Sequence, residues 1–163
     1  MHQKGHYGAA LAVYAPVVFV LTAFGYTTLA LIGGGIVVAG AMVPDLDQRI
    51  PGVKHRGPTH TVWFALGAGV VVGIAGLVVA WSGGVLTALA VGIFGLFVGT
   101  LTIGAHILAD ALTPTGVRPF APVRDEKYTV DVTKAANPFA NYSLLAVGVV
   151  ITTVAYVAGS VVR

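Results

Sequence analysis

The chain has 163 residues, 56% of them hydrophobic and 9% charged, where a soluble domain carries about 25% charged residues. A mean hydropathy of +0.89, with several apolar runs long enough to cross a hydrocarbon core of about 30 Å, excludes an ordinary soluble domain and predicts an integral membrane protein. A net charge of +3 without any lysine- or arginine-rich run excludes a nucleic-acid partner, and the lack of cysteine excludes disulfides, thiolate metal sites and a cysteine nucleophile.

The N-terminal "MHQKGHYGAALAVYAP" shows no clear small-residue cleavage site after its apolar region, so it is expected to be retained. His2 and His6 are four apart and share a face if this segment is helical, a spacing at which two imidazoles can hold one metal ion. From Tyr7 to Val43 there is no charge at all. That run is too long for one helix at a rise of about 1.5 Å per residue. It fits two spans, 7–25 and 27–43, turned tightly near "FGYTT". Pro16 falls inside the first, where neighbouring helices can satisfy the carbonyl it frees.

The polar stretch "PDLDQRIPGVKHRGPTH" follows, residues 44–60. Asp45 and Asp47 suit hard or borderline cations, and can bridge two metals or divide the work of ligand and base. Arg56 offers a planar donor fork for phosphate or carboxylate, while Lys54 reads as an anchor against headgroups. Thr59 is placed to cap the next helix, with His60 at its start. A third span is expected over 60–81, then the turn "SGG", then a fourth over 85–112, long enough to tilt or to project from the core.

The glycine pairs of "GVVVG", 69–73, and "GLFVG", 95–99, are four apart, the spacing that lets helix backbones approach in lipid. The fourth span ends in "HILAD". His106 and Asp110 there share a helix face, and ionisable residues in a span face a protein interior or a cavity. Asp110 can ligate metal or orient His106. Residues 113–140 are polar and proline-rich, and "KYTVDVT" alternates as a short strand or hairpin arm would. A fifth span covers 141–162.

Following five spans from one membrane face to the other places all five histidines, all six acids and eight of the nine basic residues on or near the same face. Positive residues favour the cytoplasmic side, so the N-terminus and the polar site are expected there. The fold class expected is all-α, a polytopic helical bundle with its polar site at one membrane face.

The N-terminal histidine before an apolar helix, "PDLD", "HRGPTH", "HILADALTPTGV" and the following "FAP" closely resemble the YdjM-like family, over roughly residues 2–123. These are small inner-membrane proteins assigned metal-dependent hydrolase activity. The resemblance implies a multi-span helical protein with a metal-dependent hydrolytic centre. Carried over by position, its motif residues are His6, Asp45, Asp47, His55, Arg56, Thr59, His60, His106, Asp110 and Thr113.

The expected function is a membrane-embedded hydrolase. His6, His60, His106 and Asp110, with Asp45, Asp47 or both, would bind one or two divalent ions such as zinc, manganese or magnesium. Asp47 is the preferred general base, Arg56 holds a phosphate or other anion, and His55 belongs to the catalytic set. Membrane lipids are the expected partners, with a phospholipid or related phosphoester as substrate. No Gly-x-Ser-x-Gly elbow is present, which disfavours a serine hydrolase. The rival is a metal or proton transporter, although a transport site usually lies near the midplane.

Overall fold

A computed structural model describes residues 1–163. Five helices form: α1 Gln3–Ala23, α2 Thr27–Gly40, α3 Val62–Val79, α4 Val85–Ala111 and α5 Pro138–Val161. Three 3-10 turns occupy Pro44–Arg49, Pro58–His60 and Trp81–Gly83. Each helix is long and apolar enough to cross a membrane, α2 by continuing through the turn after it to Arg49. Their outer faces expose large apolar side chains such as Leu31, Val71, Ile93 and Val150, as lipid-facing surfaces do.

Small residues set the packing. Helix α3 lies along α4, and α5 lies along α1. A Cβ added to Gly99 would stand 2.9 Å from the Gly69 Cα, and one on Gly95 3.1 Å from the Gly73 Cα. The two glycine pairs noted in the sequence therefore face each other across the α3–α4 contact, where lipid offers no hydrophobic drive and close approach supplies the attraction. Gly8 and Gly148 do the same for α1 and α5, and Thr152 donates across that contact to the Leu11 carbonyl at 3.0 Å. Tyr14 is fully buried between α1 and α2, its hydroxyl on the Ala30 carbonyl at 3.1 Å. It packs with Val37, Val98 and Ala105 in the apolar centre.

Helix ends depart from the expected ones for local reasons. Helix α1 begins at Gln3, so His6 sits on the helix and not ahead of it. Helix α2 stops at Gly40, which frees the Ala41 carbonyl. Thr61, not Thr59, caps α3: its hydroxyl accepts from the Phe64 amide at 3.2 Å, and His60 stays in the preceding turn. Asn137 caps α5 by accepting from the Ala140 amide at 3.3 Å, with Pro138 in the first turn. "KYTVDVT" forms no strand. Tyr128 makes one antiparallel bridge with Val117, while the Val130 and Val132 amides go to the Ala111 and Leu112 carbonyls at 2.8 and 2.9 Å. The end of α4 takes the hydrogen bonds that a partner strand would have taken.

The start of α1, the end of α2, the start of α3 and the end of α4 meet at one end of the bundle. The opposite end holds the Gly25 turn, with the Arg163 side chain beside it. Trp63 and Trp81 bracket α3, one near each end, and both are exposed.

Candidate metal centre

His106 reaches inward from α4 and its Nδ1 lies 2.7 Å from the Ala41 carbonyl. A carbonyl can only accept, so Nδ1 carries a proton, and the tautomer this bond selects is the one whose Nε2 is bare. The same logic applies to His60. Thr59 donates its hydroxyl proton to Asp47 Oδ2 at 2.7 Å, because a carboxylate only accepts. The Thr59 oxygen, 3.0 Å from His60 Nδ1, must then accept from that nitrogen. When the His60 ring is neutral, it also turns a bare Nε2 inward.

The two Nε2 atoms are 3.1 Å apart. Asp45 Oδ1 lies 3.5 Å from both. Asp110 Oδ2 lies 3.5 Å from His60 Nε2 and 3.8 Å from His106 Nε2. His60, His106 and Asp110 are essentially inaccessible. Asp110 Oδ2 is buried without a hydrogen-bond partner, a cost that a native structure normally avoids. Acceptors gathered like this repel one another unless positive charge sits among them. Burial pulls the His60 imidazolium down, but the Asp110 and Asp45 carboxylates outweigh it and hold the pKa above its ordinary value. A divalent cation answers the same demand, and two imidazoles with two carboxylates form a donor set suited to one. Asp45, His60, His106 and Asp110 could hold a metal ion, each offering a ligand atom, all within 4.8 Å of one another.

His6 is brought beside this group and not into it. Its ring stacks on His106 with centroids 3.7 Å apart. Its Nε2 is 3.0 Å from the Met1 carbonyl and must donate there, while it stands 3.5 Å from Asp110 Oδ1. The proton that this bond requires occupies the nitrogen nearest the carboxylates. His2 is exposed and lies away from the group, its amide on the Asn141 side chain at 2.9 Å.

Asp47 is fully buried with both oxygens engaged. Oδ2 takes the Thr59 hydroxyl, and Oδ1 takes His55 Nδ1 at 2.9 Å. This removes it from the position of a free base and makes it an orienting group for two histidines, in the manner of carboxylates behind metal-bound imidazoles. Asp47, His55 and His60 also form a second set with ligand atoms within 4.8 Å, although Thr59 already fills the gap between Asp47 and His60.

Arg56 does not project as a free anion clamp. Nη2 donates to Asp110 Oδ1 at 2.8 Å, and Nη1 to Thr113 Oγ1 and the Gly116 carbonyl, each at 3.1 Å. Its backbone holds φ +59°, a left-handed conformation costly for a residue with a side chain. It pins the 44–60 loop to the end of α4. Thr113, fully buried, also donates to the Asp110 carbonyl at 2.8 Å. The Met1 ammonium donates to the same Asp110 oxygen as Arg56.

Sequence reasoning missed the Ala41 and Met1 carbonyls, since a backbone acceptor leaves no signature in residue type. It also gave Thr59 a capping role that belongs to Thr61. The neighbouring hydroxyl two residues on was the available signal.

The chain matches the family model described as YdjM inner membrane protein over residues 1–162. It belongs to that family and is a multi-pass inner-membrane protein. It matches no curated protein and no solved structure.

Proposed function

We propose that this member of the YdjM inner membrane protein family is a metal-dependent hydrolase that cleaves a phosphoester of a membrane amphiphile at the cytoplasmic face. The observation that carries the reading is the buried convergence of two bare imidazole nitrogens and two carboxylates at one end of the bundle. Clustered basic residues at that end support the cytoplasmic assignment. A site at headgroup level suits a substrate whose tail stays in lipid.

Asp45, His60, His106 and Asp110 would hold the ion. A bound divalent cation supplies Lewis acidity, lowering the pKa of water and polarising the scissile group. The chain's own residues do the rest. Asp47 holds His55 by its Nδ1–H, which leaves the His55 Nε2 free to take a proton from water and return it to the leaving oxygen. His55 is exposed while Asp47 is buried, so the pair spans the boundary between the inner group and solvent. Asp47 thus acts through His55, and Arg56 acts by fixing Asp110.

The test is turnover of short-chain phosphoester lipids by the purified protein, with and without added zinc or manganese. The reading requires metal-dependent release of product that His106→Ala abolishes. Metal uptake into proteoliposomes with no turnover of any phosphoester offered would replace it with a transporter.

A further inference from the structure

Beside the metal centre lies a cavity of about 990 Å³, at the upper end of the range for small-molecule sites. Its walls are the loop around Lys54–Pro58, the first turn of α3 with Trp63 and Phe64, and the segment from Thr115 to Lys127. Four cationic side chains line it, Lys54, Arg56, Arg118 and Lys127, against one acid, Asp125. The acid is already spent, since Arg118 Nη1 holds its two oxygens at 2.8 and 2.7 Å. Arg56 is committed to Asp110. Two ammonium groups remain without a counter-charge. Lys127 Nζ rests on a neutral carbonyl, that of Pro114, at 2.8 Å, and the ion pairs made by lysine and arginine involve Arg56 and Arg118, not Lys54.

The position of this charge matters. Trp63 sits at the start of a membrane-spanning helix, where indoles settle at headgroup level. His55 lines the cavity and touches Asp47, and its Nδ1 is 3.9 Å from Asp45 Oδ1. The cavity therefore joins an aromatic, lipid-level wall to the metal centre through a histidine. Its volume exceeds what a bare phosphate fills, and two uncompensated lysines disfavour any head that carries its own cation.

We infer that this cavity receives the phosphate head of a net-anionic lipid, with Lys54 and Lys127 as its counter-charges and Trp63 and Phe64 against the first part of its tail. The inference deepens the hydrolase reading and rests on it for the bond that is cut. It adds a discrimination that the metal centre cannot make, between anionic and zwitterionic heads.

Binding separates the two readings. The full chain carrying Trp81→Phe keeps Trp63 as its sole tryptophan, placed in phosphatidylcholine nanodiscs. The probe is a non-hydrolysable phosphonate analogue of dihexanoyl phosphatidate, read by Trp63 emission. A saturable shift is expected, weakened about tenfold or more by combined Lys54→Ala and Lys127→Ala, with none from dihexanoyl phosphatidylcholine. Both lysines are exposed, and unchanged thermal unfolding of the variant confirms that the fold is intact. Equal binding by the double variant, or by the choline lipid, overturns the inference. So does inorganic phosphate binding as tightly as the lipid, which would make the cavity a free-anion site. Saturable binding of the phosphonate without turnover of the matching ester would sink the hydrolase reading and leave this one standing.

Discussion

His60 and His106 meet edge to face, their Nε2 atoms 3.1 Å apart, each with its other ring nitrogen already committed to a protein acceptor. Two hydrogen bonds at the backs of the rings thus decide what their fronts can accept. A proton on one front nitrogen is shared with the other as an N–H···N hydrogen bond. A metal ion can satisfy both, together with Asp45 and Asp110.

Substituting His106→Ala removes one proposed ligand and the tie to Ala41. Metal content, measured by elemental analysis of protein purified without chelator or histidine tag, should fall from about one ion per chain to near zero. Asp110→Asn should do the same, since an amide supplies no charge to offset the ion.

Protonation of His60 would compete with the proposed metal ion. The Asp110 and Asp45 carboxylates raise its pKa despite burial, so metal affinity should weaken as pH falls through a value above that of a free imidazole. The apo protein should show the opposite trend in stability. A raised folded-state pKa stabilises below the unfolded pKa, and that contribution is lost as pH rises through the folded value. Thermal unfolding of chelated and metal-loaded protein from about pH 5 to 9 would display both trends.

Thr59 passes orientation from Asp47 to His60. Thr59→Val keeps the shape and removes the hydroxyl. Metal affinity should drop roughly 10- to 100-fold, and Thr59→Ser should restore it. A purely structural role for Thr59 would instead show in stability alone, with affinity unchanged.

His55→Ala tests the proposed proton carrier. His55 is exposed and is not one of the four residues of the inner group. Metal content should stay at the wild-type level while turnover falls about 10²- to 10⁴-fold. Loss of metal in this variant would move His55 from proton carrier to ligand.

Gly99→Val places a branched side chain where even a Cβ meets Gly69 at 2.9 Å. The α3–α4 contact must open, at a cost of about 1–3 kcal/mol. Gly104, whose Cβ would meet nothing within 4 Å, serves as the control on the same helix, and both are read by unfolding in mixed micelles.

The helical spans were readable because lipid imposes length and apolarity on every one of them, and charge is scarce enough that each polar residue marks a helix end. His106 and Asp110 were readable as a pair because helix geometry fixes the i, i+4 relation. The roles of Asp47 and Arg56 were not. Both depend on which acceptor lies across a gap between segments far apart in the chain, Thr59 and His55 for one, Asp110 and Thr113 for the other. His6 was expected among the metal ligands from its position ahead of the apolar run; the structure sets it beside the group, stacked on His106, with its proton dictated by a main-chain oxygen that no residue letter encodes.

Helix α3 is 18 residues long, about 27 Å at the usual rise, with Trp63 and Trp81 near its two ends. That length nearly equals the hydrocarbon thickness, and the indoles hold it to the two interfaces. His60 lies just ahead of α3, so the length of α3 ties it to one end of that span. Helix α4, with 27 residues, can tilt to absorb a change of bilayer thickness, but α3 cannot lengthen. In a thicker membrane the lipid must thin around α3 or the polar centre must sink, at fractions of a kcal/mol per Å of mismatch. Acyl-chain length in the surrounding membrane is therefore expected to shift the depth of the polar cluster without touching a single one of its residues.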